Sequence, residues 1–156
     1  MNDSSILWRY SLFDGLEREE VDRVINLMDK VTFEPGVDIV VEGGSNNKIH
    51  FIVEGHVIVY KGGLDLMELH EGSIFGEMEV LEVLPVEATI RTVTTTKVMT
   101  LSVDALGEIY ESDLKIYSFI IMNLARDLAR RVRRLNVRML NDFKKDPNLK
   151  RPEKFA

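Results

Sequence analysis

The chain has no cysteine, and this absence excludes several kinds of site at once. Disulfides, thiolate metal sites, iron–sulfur clusters and cysteine nucleophiles all need the missing side chain. Long apolar runs are absent too: a stretch such as Phe119–Met122 falls far short of the ~20 residues that cross a bilayer. Residues 1–10 carry Asp3 and lack the apolar segment of a secretory signal. We therefore expect a soluble, cytoplasmic protein that does not enter a membrane.

Glycine is scarce outside one segment, because eight of the ten glycines lie between Gly36 and Gly76. Glycine supplies the positive φ of tight turns, so glycines that separate short apolar runs predict a turn-rich β region. Gly62-Gly63 is a hairpin signal within it. The runs are Val37–Val41, His50–Val53, Val57–Tyr60, Leu64–Leu69, Ala88–Thr94 and Lys97–Leu101. Many short strands at regular spacing are typical of a sandwich or barrel.

Helical patterns flank this glycine-rich segment. Val21, Val24, Ile25 and Met28 recur at the spacing of one helix face, which predicts a short amphipathic helix before the strands. A second helix is predicted directly after the last strand, with Asp104 as its N-cap.

A long helix is predicted after Ser112 and Asp113, which offer an N-cap. No glycine or proline occurs between Leu114 and Leu140, and a helix of that length would extend ~40 Å. Its apolar positions recur every three or four residues, as in a coiled-coil seam. The residues of this stripe are Tyr117, Ile121, Leu124, Leu128, Val132, Leu135 and Met139. We expect the first half to pack on its own domain and the second half to join two chains in a homodimer; packing of the whole helix on its own barrel is the alternative.

Charge is divided unevenly along the chain. The formal net charge of −6 combines −13 in residues 1–125 with +7 in residues 126–156. The basic segment Arg126–Lys154 can bind nucleic acid or another acidic surface electrostatically. It can equally complement the acidic body of a partner subunit. This division predicts a folded unit over residues 1–140 and a basic tail over residues 141–156.

The order of these elements, together with the segment Phe75–Leu81, resembles the cyclic-nucleotide-binding domain family, whose members include the catabolite activator, kinase regulatory subunits and gated channels. The resemblance covers roughly Leu12–Leu140. It is supported by Leu12–Leu16, Phe33–Val37, Phe51–Val57 and Arg91–Val93. It implies a mainly β fold with flanking helices: an antiparallel double-stranded β-helix (a jelly-roll or cupin-like β-roll) over about 30–102, followed by a long C-terminal dimerisation helix over about 113–140.

The resemblance also implies a phosphate-binding turn. Glu77 matches the family's carboxylate that accepts a hydrogen bond from the ribose, and Gly76 lets backbone N–H groups approach the phosphate. The family's phosphate arginine lies in a Pro-Arg-(Ser/Ala)-Ala run, where this chain has Pro85-Val86-Glu87-Ala88. Val86 stands at the arginine position and Glu87 at the position of the small or hydroxyl residue. The loss of a charge-assisted guanidinium contact and the gain of a carboxylate together predict weak binding of cAMP and cGMP. The candidate pocket residues are Ile74, Phe75, Gly76, Glu77, Met78, Val86, Glu87, Ala88, Leu135 and Asn136.

Arg91 lies close to this run, and a shift of the alignment by one or two residues would let it serve the phosphate. Because Arg91 belongs to an alternating strand, we expect it to be structural or to pair with Glu87. Asn136 is placed to hydrogen-bond a base or another ligand.

Patterns for catalysis or a resident metal are absent from the sequence. The three histidines, His50, His56 and His70, lie in predicted strands or turns without the spacing of a helical metal site, so we expect structural roles. A cation attracted by carboxylates near the turn is the alternative. These carboxylates are Glu77, Glu79, Glu82 and Glu87. Without a Ser/His/Asp triad, a Walker loop or a dinucleotide fingerprint, we expect no enzyme.

We therefore expect a stand-alone regulatory module that senses a small ligand and signals by moving its C-terminal helix. The resemblance allows a cyclic nucleotide or another small effector and implies no further cofactor. In the catabolite-activator branch a helix-turn-helix domain follows the long helix. Asn141–Ala156 are too few for one, so we expect no sequence-specific DNA binding by this chain. The alternatives are a scaffold protein that binds no ligand and the sensor half of a transcription regulator.

Overall fold

The computed structural model describes Leu7, residues 10–82 and residues 84–145. Within them a short 3₁₀ turn, Ser11–Phe13, precedes the first helix. The helices are α1 (Arg18–Asn26), α2 (Glu77–Glu82), α3 (Val103–Ser112) and α4 (Leu114–Lys145). The strands are β1 (Asp29–Phe33), β2 (Asp38–Val40), β3 (Lys48–Glu54), β4 (His56–Lys61), β5 (Leu64–His70), β6 (Ile74–Phe75), β7 (Thr89–Thr92) and β8 (Thr96–Ser102). The predicted mainly β fold with flanking helices is confirmed.

The strands form two antiparallel four-stranded sheets. One has the order β1-β8-β3-β6 and the other the order β2-β7-β4-β5. The chain crosses between the sheets at each connection except the β4–β5 hairpin, as in a β-roll. Ile52, Phe75 and Val98 of the first sheet pack with Val57 and Ile90 of the second to form a core between the sheets. This core forms the back of the candidate ligand pocket.

A second core lies on the other face of the first sheet, beneath the helices. Side chains alternate between the faces of a strand, so Phe51 points to the helices while its neighbour Ile52 points between the sheets. Phe51 packs in one cluster with Val24 of α1, Ile109 of α3 and Ile120 of α4. The first turns of α4 are therefore part of the domain core.

The helix ends agree with the sequence in part. The Asp113 carboxylate accepts a hydrogen bond from the Ile116 N–H at 3.1 Å, as expected of a cap for α4. The predicted cap of α3 is wrong: Ser102, the last residue of β8, accepts the Ala105 N–H at 3.0 Å, and Asp104 lies in the first turn. The strand runs directly into the helix, so the cap falls two residues earlier than predicted.

The two halves of α4 have different surroundings. Ile116, Ile120 and Leu124 are buried, and the buried Asn123 carboxamide donates to the carbonyls of Leu12 and Asp14, both at 2.9 Å. No side chain between residues 125 and 145 is buried. Packing therefore fixes the first half of the helix, and the second half lies along the outside of the domain.

This division reduces the number of predicted dimer-stripe residues that are exposed and free to contact a second chain. Leu124 belongs to the core of its own chain, and Tyr117 and Ile121 pack against the same core, so these three hold the helix to its domain. Leu128 is half-buried. The stripe residues that remain exposed are Val132, Leu135 and Met139.

The helix continues to Lys145, five residues past the predicted boundary. Residues 141–145 of the predicted basic tail are therefore helical, and residues 146–156 lie outside the described part of the chain. In that described part, no helix combines the length and the apolar character that a membrane crossing requires.

Candidate ligand-binding site

The turn between β6 and α2 can be formed only with glycine at position 76. Gly76 has φ +77°, and a Cβ there would lie 2.6 Å from Asn46 Nδ2 and 2.7 Å from the Lys48 carbonyl oxygen. The Asn46 amide donates to the carbonyls of both Lys48 and Gly76, which fixes the turn against the start of β3. This arrangement places Glu77 at the first position of α2.

Glu77 is almost completely buried and is paired with an arginine of α4. Arg131 Nη1 lies 2.8 Å from Glu77 Oε1, and the same guanidinium donates to the Ile74 carbonyl. Asp127 Oδ2, one helical turn earlier, lies 2.8 Å from Arg131 Nη2. Burial raises the pKa of the Glu77 carboxyl, and the positive charge of Arg131 opposes that rise. The Arg131 guanidinium thus binds the Glu77 carboxylate, which the family pattern assigns to hydrogen bonding with a ribose.

The sequence did not single out Arg131 as a pocket residue. It is one of several arginines on a helix without gaps, and the predicted contacts from this helix were Leu135 and Asn136, one turn further on. Leu135 lines an outer groove beside the helix, and Asn136 is exposed. Arg131 and Leu135 are four residues apart and therefore lie on one helix face. This spacing was the sequence signal that could have identified Arg131 as a pocket residue.

A cavity of about 140 Å³ lies between the turn and the second sheet. Seven of the predicted pocket residues line it: Phe75, Gly76, Glu77, Met78, Val86, Glu87 and Ala88. Arg131 closes one side, and Met67 and Leu69 of β5 contribute apolar surface. Ile74 lies behind the cavity, where its side chain belongs to the core beneath the helices.

The wall opposite Glu77 lacks a guanidinium. Val86 is buried. Its N–H donates to the Gly44 carbonyl at 2.9 Å, and its carbonyl accepts a hydrogen bond from the Gly43 N–H at 2.8 Å. Glu87 is exposed, with Lys61 Nζ 3.2 Å from its carboxylate. This wall of the cavity therefore presents an apolar side chain and a carboxylate that is paired with a lysine.

Arg91 does not serve this wall. Its guanidinium makes two contacts with Asp38, at 2.6 and 2.9 Å, and donates to the Tyr60 hydroxyl at 2.9 Å. The pair with Asp38 lowers the pKa of that carboxyl. Arg91 therefore joins β7 to β2 and β4. The predicted alternative, an Arg91–Glu87 pair, does not form, because Arg91 pairs with Asp38 and Glu87 pairs with Lys61.

The sequence from residue 30 to residue 113 matches the family described as "Cyclic nucleotide-binding domain", which is more than half of the chain and includes both sheets and the turn at Gly76. The chain belongs to the cyclic nucleotide-binding domain family. Its predicted resemblance to that family is confirmed.

Curated relatives of this cyclic nucleotide-binding domain include a channel and a kinase subunit. The potassium/sodium hyperpolarization-activated cyclic nucleotide-gated channel 1 of Oryctolagus cuniculus is 29% identical over 137 residues, which are 88% of this chain and 16% of the channel. The cAMP-dependent protein kinase regulatory subunit of Yarrowia lipolytica is 29% identical over 108 residues, which are 62% of this chain and 29% of that subunit. The chain thus spans about a sixth of the length of the channel.

Solved structures share the fold. The catabolite activator protein of Thermus thermophilus superposes with a TM-score of 0.71 and 28% identity, over 85% of this chain and 63% of that chain. A cyclic nucleotide-binding domain from Methylobacillus flagellatus superposes with a TM-score of 0.78 over 97% of this chain and 84% of its own. At 21% identity, the second likeness concerns the fold alone.

The histidines of this cyclic nucleotide-binding domain do not gather into a metal site. His50 is buried and stacks on Phe75 with ring centroids 4.7 Å apart, and burial lowers its pKa to about 4. His56 and His70 stack on each other across β4 and β5. Among residues 7, 10–82 and 84–145, no group of three or more His, Asp or Glu side chains is placed to hold a metal ion.

A larger groove runs outside the pocket, between α4 and the end of β5. Its volume is about 540 Å³, and Met67 and Leu69 line it as well as the inner cavity. Its helix side carries Arg130, Arg131, Arg134, Leu135 and Arg138. Its sheet side carries Glu68, His70 and Glu71. Arg131 lines both spaces and therefore separates the groove from the buried pocket.

Proposed function

We propose that this chain is a ligand-sensing regulatory module in which a ligand at the Gly76 turn changes the position of the C-terminal helix. The observation that carries the proposal is the contact of Arg131 with Glu77 and the Ile74 carbonyl, because it ties the exposed half of α4 to the turn. A relative of this chain is named as a cyclic nucleotide-gated channel and another as a cAMP-dependent kinase regulatory subunit.

The mechanism follows from the few contacts that hold this half of the helix. Between residues 125 and 145 no side chain is buried, so polar contacts rather than packing set its position. A ligand that hydrogen-bonds the Glu77 carboxylate competes directly with Arg131 for the same oxygen atoms. When Arg131 loses that partner, the helix loses its tie to the turn and takes up another position.

The proposal includes weak binding of cAMP and cGMP. A cyclic phosphate at the wall formed by Val86 and Glu87 would meet an apolar side chain and a carboxylate, and the nearest cation, Lys61, is already paired with Glu87. Isothermal titration calorimetry tests this part. We expect no submicromolar binding of either nucleotide, and a submicromolar dissociation constant would contradict the degenerate phosphate site.

The proposal also includes a homodimer formed through the second half of α4. Val132, Leu135 and Met139 expose apolar side chains at three- and four-residue spacing, which suits a helix–helix seam. Sedimentation at two concentrations tests it, with Val132→Ser expected to weaken the association. A strict monomer at both concentrations would contradict a dimer.

Spin labels can measure the helix movement without side reactions, because the chain has no cysteine of its own. We would label cysteines introduced at the exposed positions Thr32 on β1 and Asn141 on α4 and measure the distance between them. We expect one narrow distance in the parent chain and a broad or shifted distribution after Glu77→Gln. Arg133→Gln, on the same helix but outside the pocket lining, is the matched control.

An unchanged distance after Glu77→Gln would favour the scaffold alternative, in which the roll has no sensing role. Mass spectrometry of small molecules released on denaturation of the purified protein would identify the ligand of a sensing module.

A further inference from the structure

We propose that the outer groove between α4 and β5 binds an organic phosphate of nucleotide size that carries two or more phosphate groups, with Arg134 at the centre of the anion site. The inference deepens the proposed function and rests on it, because Arg131 lines this groove as well as the inner cavity, so that a ligand in the groove would act from outside on the same contact between α4 and the Gly76 turn.

The size of the groove suits such a ligand. Its volume of about 540 Å³ falls within the range of about 300–1,000 Å³ that is usual for small-molecule sites. The inner cavity at the Gly76 turn, at about 140 Å³, is below that range. The structure therefore offers more room for a ligand outside Arg131 than inside it.

The helix side of the groove presents a row of cations. Arg130, Arg134 and Arg138 are four residues apart, so they follow one face of α4 at intervals of about 6 Å. Like charges on successive turns repel each other, and a bound anion relieves that repulsion. Guanidinium groups also match phosphate oxygens in bidentate geometry.

These arginines have few protein partners. Among the described residues Arg134 forms no ion pair, and the carboxylate nearest to Arg130, that of Asp127, is 3.6 Å away. Within the part of the chain that the structure describes, Arg138 donates only to the Leu66 carbonyl, at 3.5 Å. Asp127 is also in contact with Arg131, so it cannot neutralise the row.

The carboxylates across the groove have partners on their own side. The Tyr10 hydroxyl donates to Glu71 at 2.7 Å, and Glu68 lies 3.5 Å from the His70 ring nitrogen. Met67 and Leu69 form an apolar floor between the two walls. A matching ligand has phosphates for the arginine wall, a flat apolar body for the floor and an amine for the carboxylate wall. An adenine nucleotide has this chemistry.

Calorimetry in 150 mM salt tests the site, with ATP, inorganic tripolyphosphate and cAMP as probes of the intact chain. We expect ATP to bind, tripolyphosphate to bind more weakly because it lacks the apolar body, and cAMP to bind most weakly because it has one phosphate charge. Arg134→Ala should weaken ATP binding at least tenfold. Arg133→Ala, the neighbouring arginine outside the groove lining, should change it less than twofold.

Three results would overturn the proposal. ATP that fails to bind at 1 mM would leave the groove without its ligand. Equal losses in Arg134→Ala and Arg133→Ala would show general attraction to a basic helix, and tripolyphosphate binding as tight as ATP binding would remove the organic part of the ligand. The melting temperature of each unliganded variant verifies its folding, which should be retained because both side chains are exposed.

The spin-label distances separate this proposal from the one on which it rests. If Glu77→Gln shifts the helix and no probe binds, the groove assignment fails alone. If ATP binds through Arg134 and the distance stays fixed, the groove is a ligand site but the movement of the helix fails.

Discussion

The two halves of α4 differ in what holds them to the domain. Ile120 and Leu124 insert into the core beneath the helices, and Asn123 binds two backbone carbonyls of the N-terminal segment. Beyond residue 125 the main anchor is one guanidinium, that of Arg131, on a buried carboxylate. The same helix is thus fixed by apolar packing in one half and by charge in the other.

This difference has a functional meaning because the two kinds of contact respond differently to a small ligand. Removing a packed leucine requires the core to open, whereas the Arg131–Glu77 contact can be replaced by another hydrogen-bonding partner. In the proposed mechanism, the first half of the helix serves as a fixed support and the second half responds to the pocket.

The largest expected effect comes from truncating the packed half. Leu124→Ala should lower the free energy of unfolding by about 3 to 4 kcal/mol, through lost burial and the cavity that remains. Leu140→Ala makes the same change on the exposed half of the helix and should cost less than about 0.5 kcal/mol. Urea denaturation measures both, and equal losses would remove the difference between the halves.

The turn that receives Arg131 should be almost as sensitive. Gly76→Ala should cost about 3 kcal/mol, from a left-handed backbone and from contact with Asn46 and the Lys48 carbonyl. Gly62→Ala, at φ +56° with nothing within 4 Å, is the control and should cost about 1 kcal/mol. Thermal or urea unfolding compares them, and a Gly76→Ala variant as stable as the Gly62→Ala variant would contradict the close packing of the turn.

Loss of the charged anchor should act locally. Arg131→Gln leaves a buried carboxylate without its cation, and we expect a loss of about 2 kcal/mol, less than for a fully buried pair because the helix end can detach. Hydrogen exchange should become faster between residues 125 and 145 and stay unchanged between residues 114 and 124. Arg133→Gln is the control, and faster exchange along the whole helix would show that the two halves are one unit.

The smallest effect concerns His50, on the fixed sheet behind the turn. Its folded-state pKa of about 4 lies below the ordinary value of 6.5, so the unfolded chain binds a proton first as the pH falls. This histidine should therefore cost about 1 kcal/mol of stability between pH 7.5 and pH 5.5. His50→Phe should abolish that part of the pH dependence and the exposed His70→Gln should not, as measured by urea denaturation at both pH values.

The fold could be predicted because the strands alternate with glycine turns and because the segment Phe75–Leu81 carries a family pattern. Strand β1 was not among the predicted runs, since only Val31 and Phe33 of its residues are apolar and it lies at the edge of its sheet. An edge strand with one partner needs little apolar surface and so leaves a weak periodic signal.

The candidate site could be predicted only where its residues are neighbours in the sequence. Glu77, Val86 and Glu87 were found because they belong to short contiguous motifs, and the structure places all three around one cavity. Arg131 is 54 residues from Glu77, and its role depends on how α4 docks on the first sheet. Several arginines lie on that helix, and only its packed position on the first sheet determines that Arg131 is the one that reaches the Gly76 turn.

The Asn123 carboxamide marks where the firmly seated part of α4 ends, and this has a mechanical consequence. From Leu124 to Lys145 the helix extends about 30 Å at 1.5 Å per residue, and its packed end is the pivot of the movement that we propose. A tilt of about 10° at the pivot moves the far end by about 5 Å. In the mechanism that we propose, exchange of a single hydrogen-bond partner at Glu77 would thereby be amplified into a displacement large enough for another molecule to detect.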